Sequence, residues 1–490
     1  MLGTEKLYSA EQTRALDQCA IREHGIPGIR LMARAAEAAF RQLIGRWPEP
    51  ERLQVLCGTG NNAGDGFLLA ERAHKRGIAV RVLQLGDPSR IGGDALRARE
   101  AALASGVAIL PFSEHVLDPS GVLVDAMLGT GLSGDVRDEY ATAIAAINAC
   151  DAPVLAIDIP SGLCADTGRV LGCAVRADVT VTFIGLKRGL FLLQGADHAG
   201  EVEFNDLEVP PEVYASVDCS LSRLELAPLL ELLPPRPATA HKGLYGKVLV
   251  IGGDFGMAGA VVMAAEAALR CGAGLVRVAT RAEHVAAIIA RTPEVMPRAI
   301  ASAEELAPLL ADADVLVVGP GLGQSAWSSE LFAAAVASDK PAILDADALN
   351  LLAAGGGDGR ANWILTPHPG EAARLLATGT AAVQADRFAA AQALQQRFGG
   401  VAILKGNGSL IAGAHELLLS DYGNPGMASG GMGDVLSGVL GALLGQGLDS
   451  LEAASLGVCL HGAAADLAAE DGERGLAASD LAPHLRALLG

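Results

Sequence analysis

The densest chemistry in the sequence is Asn424-Pro425-Gly426-Met427-Ala428-Ser429-Gly430-Gly431-Met432-Gly433-Asp434, which runs straight into the apolar stretch Val435 to Leu444. A glycine turn entering a helix presents backbone amides at the positive end of the helix dipole, where they stabilise negative charge on a transferring phosphoryl group. Asp434, beside those amides, can accept a hydroxyl proton. A helix cap alone explains Asp434, but neither the glycines nor the upstream loop Lys405-Gly406-Asn407-Gly408-Ser409. That loop follows the apolar run Val401 to Leu404 and sets an ammonium beside exposed N–H groups, a cradle for nucleotide phosphates. Taken alone it reads equally well as a surface hairpin. Three further turns follow short apolar runs: Gly252 to Ala260 after Val248–Ile251, Gly319-Pro320-Gly321-Leu322-Gly323 after Val315–Val318, and Thr366-Pro367-His368-Pro369-Gly370-Glu371 after Trp363–Leu365.

The first half carries a second set. Gly58-Thr59-Gly60-Asn61-Asn62-Ala63-Gly64-Asp65-Gly66 lies between the run ending at Cys57 and a helical pattern through Leu69 and Ala73. The spacing Gly58-x-Gly60-x-x-Ala63, with Asp87 near the end of the next strand, satisfies a dinucleotide fingerprint, so a nicotinamide dehydrogenase is one reading. Asn61, Asn62 and Asp65 fill the turn with more side-chain oxygens and amides than a pyrophosphate turn requires. Two more polar clusters end apolar runs, Asp125 to Asp135 and Asp158-Ile159-Pro160-Ser161. Asn62, Asp125 and Ser161 offer oxygens to a hard cation, and Asp158 is free for acid or base work. Each alone reads as a turn residue capping its own backbone; together they imply one site.

All these segments must be held at the ends of strands. The runs Val55–Cys57, Val80–Leu85, Val122–Val124, Val154–Ile157 and Val179–Ile184, then Val248–Ile251, Leu275–Ala279, Val315–Val318, Ala342–Leu344, Trp363–Leu365 and Val401–Leu404, are short and alternate with helical patterns. Ser9-Ala10-Glu11-Gln12 is a capping box opening a helix to His24, and Leu31 to Ile44 forms a second helix. The pattern predicts an α/β fold: two three-layer α/β/α domains whose strands point their carboxyl ends at one crevice each. Prolines at 234, 235 and 237 place a linker at 225–240, between domains 1–224 and 241–490.

Composition agrees. The 490 residues are 51% hydrophobic, 19% charged and 4% aromatic, with 60 glycines, as expected for helices packed on buried parallel strands. The net charge of −19 disfavours nucleic acid and anionic membrane as partners, though not a small phosphate compound held by local amides. Eight scattered cysteines suggest neither a zinc site nor a disulfide framework and point to a reducing compartment. The start has no apolar leader-like region, and the uncharged run Val435 to Leu448 falls short of the roughly 20 residues that span a bilayer. A cytoplasmic protein is expected.

The segments GTGNNAGDGF, VDAMLGTGLSGD and IDIPSG resemble the YjeF N-terminal family, which includes NAD(P)HX epimerases; Ala63 stands where that family usually has glycine. The resemblance implies a Rossmann-like domain with K+ on Asn62, Asp125 and Ser161. It also implies substrate contacts from Asn61, Asn62, Ala63, Gly64 and Asp65, from Gly129, Thr130, Gly131, Leu132, Ser133, Gly134 and Asp135, and from Tyr140, with Asp158 as the acid/base group. In the second half HKG, VIGGD, GPGLG, TPHPGE, LKGNGS and NPGMASGGMGD resemble the ribokinase-like superfamily, and more closely its ADP/ATP-dependent NAD(P)HX dehydratases. This implies nucleotide contacts from Lys405, Gly406, Asn407, Gly408, Ser409 and Gly433. Hydrated-dinucleotide contacts fall at Ala258, Leu322, His368 and Asp434, with Asp434 catalytic in a Mg2+-assisted transfer and Glu371 organising metal or water. Together the halves resemble the bifunctional NAD(P)H-hydrate repair family. Its chemistry implies NADHX and NADPHX as substrates, ADP as co-substrate in a bacterial-type fusion, and a homo-oligomer. The rivals are a ribokinase-like small-molecule kinase and a first half that binds without catalysing.

Overall fold

In a computed structural model describing residues 4–112, 117–355 and 358–490, the chain forms two compact units. One is Lys6–Cys219; the other is Ser220–Gly490 together with Thr4 and Glu5.

The strands of the first half are β1 (Thr4–Tyr8), β2 (Leu53–Cys57), β3 (Val80–Gln84), β4 (Ala108–Pro111), β5 (Val122–Ala126), β6 (Val154–Ile157), β7 (Val179–Phe183), β8 (Leu186–Lys187) and β9 (Glu201–Asn205). Seven of them form a sheet ordered β4-β3-β2-β5-β6-β7-β9, with every pairing parallel. The order reverses direction between β2 and β5, and a crevice opens beyond the carboxyl ends of such strands. β2 and β5 bury every side chain, the signature of parallel strands covered on both faces. Outside this sheet, Leu7 and Tyr8 of β1 pair with Leu186 and Lys187 of β8.

The capping box at Ser9 forms as read: Gln12 N donates to Ser9 Oγ at 3.1 Å, and Ser9 N to Gln12 Oε1 at 2.8 Å. The helix it opens, Ala10–Arg22, buries Ala10, Thr13, Leu16, Cys19 and Ala20, a single stripe at helical spacing. The second helix, Gly28–Arg46, presses Leu31, Ala35, Phe40 and Leu43 into the same core.

The second half contains β10 (Leu221–Leu224), β11 (Lys247–Ile251), β12 (Leu275–Thr280), β13 (Met296–Ala299), β14 (Val315–Val318), β15 (Ala342–Leu344), β16 (Trp363–Leu365), β17 (Val401–Leu404), β18 (Ser409–Ala412) and β19 (Leu417–Ser420). They follow the order β13-β12-β11-β14-β15-β16-β17-β18-β19-β10. Pairings are parallel from β13 to β17, antiparallel at β17-β18 and β18-β19, and parallel again at β19-β10. Direction reverses between β11 and β14.

The helix Met432–Gly445 lies in this unit's core against Ala258–Arg270. A Cβ at Gly438 would come within 2.0 Å of the Ala264 carbonyl, so the close approach of these helices requires glycine there.

The division between units falls at Cys219 and Ser220, ahead of the 225–240 segment read as a linker. Leu221–Leu224 pairs with β19, and Leu226–Leu230 is helical with Leu226 and Leu229 buried. Four residues interrupted by Arg223 give little strand signal; Asp421 and Glu5 neutralise that arginine at 3.0 and 2.7 Å.

Candidate active sites

In the first unit, Gly58 to Gly60 turn off β2, and the helix begins at Asn61, so Asn61 to Asp65 form its first turn rather than a free loop. Gln84 fixes the turn by donating to the carbonyls of Cys57, Gly58 and Leu85 at 3.1, 2.8 and 2.8 Å. Ala63 is wholly buried, and its methyl is accommodated in that first turn. Asp87 caps the short helix Pro88–Arg90 through Ser89 N at 2.9 Å, which occupies the carboxylate of the dehydrogenase fingerprint.

Beyond β5 the wholly buried Asp125 accepts Ser161 Oγ at 2.6 Å, Ser161 N at 2.7 Å and Met127 N at 3.2 Å. Burial nevertheless pushes its carboxyl up to about 6. Asn62 Nδ2 donates to the Leu128 carbonyl at 3.2 Å, while its Oδ1 is buried with no hydrogen-bond partner among the described residues. Gly129 lies against Asn62: a Cβ there would meet the Asn62 Cβ at 3.4 Å. Thr130 and Leu132 are half-buried, and Gly131, Ser133, Gly134 and Asp135 form an exposed lip. Tyr140 sits on the β2 side, its hydroxyl 3.3 Å from where a Gly58 Cβ would be.

Asp158 directly follows β6 with φ +68, a left-handed conformation unusual outside glycine and most tolerable for Asp or Asn. Its carboxylate is ion-paired with the Lys187 ammonium and lies 3.5 Å from Thr182 Oγ1. Lys187 is 1% exposed and also donates to the Phe183 carbonyl at 2.8 Å. Two further carboxylates share its field. Burial pushes Asp17 up to about 6, with Lys187 opposing and Asp158 adding to the rise. Burial, then Asp158 and Asp17, hold Asp65 well above the ordinary carboxylate range. Lys187 thus pairs directly with Asp158 and acts electrostatically on Asp17 and Asp65.

Gly162 closes the adjoining turn at φ +96, where a Cβ would sit 1.9 Å from the Cys173 carbonyl. Gly162→Ala is expected to lower the stability of this unit by about 2–4 kcal/mol, read as a drop in its thermal unfolding temperature.

In the second unit five consecutive strands bring their carboxyl ends to one crevice. Asp345, just beyond β15, is 1% exposed and accepts Thr366 Oγ1, Lys405 Nζ and Ser437 Oγ at 2.8, 2.8 and 2.9 Å. Despite burial, Lys405 and these donors hold its carboxyl below the usual range, and Asp345 in turn holds the Lys405 ammonium above its usual range. Lys405 thus arrives as half of an ion pair, not as a free phosphate ligand. Its loop is the hairpin joining β17 to β18, so the strand-end and hairpin descriptions both apply. A Cβ at Gly433 would lie 3.1 Å from Lys405 Nζ and 3.4 Å from Asp345 Oδ2, which sets the ion pair at the amino end of Met432–Gly445. Gly431 precedes that helix at φ +96.

Burial, then the negative charges of Asp345 and Asp347, push Asp434 up to about 7 against the pull of Lys405. Glu371 rises to about 7, chiefly through burial. His368 and Glu371 cap one another at the start of Pro369–Leu375: His368 N donates to Glu371 Oε2 at 2.8 Å, and Gly370 N to His368 Nδ1 at 3.0 Å. Ala258 begins the helix Ala258–Arg270. Leu322 is wholly buried, with its amide and carbonyl both bonded internally, to Gly319 and Ser328. Its neighbour Gly323 is fixed by Asp347 at 2.8 Å.

The family profile described as YjeF-related protein N-terminus matches residues 28–189, and that described as NAD(P)H-hydrate dehydratase matches 248–486. A bifunctional NAD(P)H-hydrate repair enzyme of Coxiella burnetii is 50% identical over 99% of both chains. That of Escherichia coli is 45% identical over 95% of this chain and 90% of its own. The chain belongs to this family of bifunctional repair enzymes. Among solved structures, a ribokinase-like superfamily protein of Enterococcus faecalis matches with a TM-score of 0.52 at 29% identity, over 55% of this chain and 95% of that one.

Four charged residues that the structure brings to these sites, Lys187, Asp17, Asp345 and Asp347, stand outside the motifs legible in the sequence. Asp345 had a legible signal, an acidic residue directly after a buried apolar run, as at Asp125 and Asp158. Lys187 had none, standing beside Arg188 on a two-residue strand outside the glycine-rich turns.

Proposed function

We propose that the chain repairs hydrated nicotinamide cofactors, its first unit epimerising R- and S-NAD(P)HX and its second dehydrating the S form at the expense of ADP. The observation that carries this reading is the full-length likeness to repair enzymes combined with two separate carboxylate–lysine clusters, Asp158–Lys187 and Asp345–Lys405 beside Asp434, which suit acid/base work. A stereospecific dehydratase clears one epimer only; an epimerase in the same chain makes both repairable.

In the second unit, Asp434 takes the proton of the C6 hydroxyl as that oxygen attacks the terminal phosphorus of ADP, and AMP departs. Loss of phosphate and a C5 proton then restores the double bond of NADH or NADPH. The amides opening Met432–Gly445 face the charge that develops on the phosphoryl oxygens, and Lys405 adds a fixed positive charge beside them. Mg2+, when bound with the nucleotide, offsets phosphate charge. Glu371, whose Oε2 accepts His368 N at 2.8 Å and whose Oε1 lies 3.4 Å from His368 Nε2, is the carboxylate that would meet it.

In the first unit, Asp158 moves the proton and Lys187 keeps its carboxylate oriented. The orphaned Asn62 Oδ1, with Ser161 and an Asp125 carboxylate that no cation neutralises among the described residues, fits a large monovalent cation such as K+. K+ there would fix the Leu128–Gly129 edge that meets the substrate.

The test is recovery of reduced-nicotinamide absorbance from a mixed R and S preparation with ADP, Mg2+ and K+. Full recovery is expected. No recovery with either ADP or ATP refutes the reading, and accumulation of a stable phosphorylated product indicates a small-molecule kinase.

A further inference from the structure

Arg387 opens the helix Arg387–Phe398 and is 2% exposed. Its guanidinium lies against the loop Lys405–Gly408: Nη2 donates to the carbonyls of Leu404 at 3.2 Å, Gly408 at 3.1 Å and Lys405 at 3.4 Å. Nη1 donates to Lys405 O at 3.4 Å and to Gln384 Oε1 at 3.1 Å. These partners are carbonyls and one amide oxygen, none of them a carboxylate. Gly406 has φ +140, and a Cβ there would come within 2.8 Å of Nη1, so the loop is seated directly on the guanidinium.

Two consequences follow from this placement. A peptide group is planar, so drawing the Lys405 carbonyl toward Arg387 turns the Gly406 N–H to the opposite face of the loop. A buried cation solvated by carbonyls alone also remains uncompensated, and an anion on the far side of a single layer of backbone offsets part of that cost. The loop is thereby built to present amides outward over a fixed positive charge, the arrangement that suits a phosphate.

We propose that Arg387 is a positioning residue for the nucleotide's phosphates, locking the Lys405–Gly408 turn from beneath and supplying charge through it. The inference rests on the second unit binding a nucleotide in this loop, as in the repair reading. A brace that served the hairpin alone would show in thermal stability and leave nucleotide affinity unchanged.

The experiment uses the full chain as wild type, Arg387→Met and Arg387→Lys. ADP affinity is measured by calorimetry, and KM for ADP and kcat are measured in the dehydration assay. The kcat at saturating ADP, which a misfolded second unit would lose, serves as the folding control. Arg387→Met is expected to weaken ADP binding about tenfold and raise its KM equally, with kcat at saturating ADP changed less than about threefold, since loss of a charge-assisted contact to a bound anion is of this size. Arg387→Lys, which keeps the charge but not the fork, is expected to recover part of the loss.

Unchanged ADP affinity in both variants, whatever their melting temperatures, overturns the proposal. If Arg387→Met does not fold, Arg387→Lys decides alone: weaker ADP binding in the folded variant supports the proposal, and wild-type affinity overturns it. A wild type that binds ADP yet dehydrates nothing refutes the repair reading while leaving the binding comparison intact. A wild type that binds neither ADP nor ATP refutes both.

Discussion

Asp434→Asn is expected to lower the ADP-dependent dehydration rate by about a thousandfold or more while R and S hydrates continue to interconvert, because it removes the proton acceptor and keeps the shape of the site. The wild-type rate should also follow the ionisation of this carboxyl. With burial and its acidic neighbours holding Asp434 near about 7, the base is mostly protonated in mild acid and mostly ionised in mild alkali. Dehydration should therefore climb with pH through neutrality and level off above it, and kcat/KM against pH measures this directly. A rate that is flat from pH 6 to 8, or an Asn variant within tenfold of wild type, would show that Asp434 does not take the proton.

The second large effect is expected at Lys187. Lys187→Met leaves the Asp158, Asp17 and Asp65 carboxyls without the ammonium that acts on all three. Conversion of the R hydrate should fall by about a hundredfold, toward the spontaneous rate, because the acid/base carboxylate loses both its orientation and its charge partner. In a mixed preparation the fast phase from the S hydrate should persist and the slower phase from the R hydrate should collapse. Lys187→Arg tests whether charge alone suffices. If Lys187→Met keeps the wild-type slow phase, Lys187 has no part in epimerisation.

The legibility of these sites divides along physical lines. The strands that end in the glycine-rich turns are buried on both faces, so they appear in sequence as short apolar runs; β2, β5, β6, β11, β14 and β17 were all readable this way. The edge strands β9 and β13 expose part of each face and carry mixed residues such as Glu201-Val202-Glu203-Phe204-Asn205, which leave no run to read, whereas β4, at the other edge, is apolar throughout and yet largely exposed. β18 is hidden for a different reason: its first residue, Ser409, is also the last of the phosphate-loop motif.

Motifs marked the residues that line the turns. They did not mark the residues that hold those turns, because a buried Arg387 or Asp345 acts through carbonyls and hydroxyls contributed by distant segments. Lys405 shows the gap: sequence placed an ammonium in the right loop, whereas its pairing with a carboxylate 60 positions earlier emerges only when β15 and β17 come to the same end of the sheet.

The mooring of Lys187 bears on where this epimerase-like unit can be cut. The recognisable stretch begins at residue 28, yet Lys187 sits on a strand whose register is set by Leu7 and Tyr8, and Asp17 belongs to the helix that follows them. A fragment trimmed to the recognisable boundaries would keep every motif and lose both the anchor of the lysine and one of its three acidic neighbours. The opening two dozen residues, which lie ahead of the matched stretch, are in that sense as much a part of the Lys187 cluster as the segments that carry the motifs.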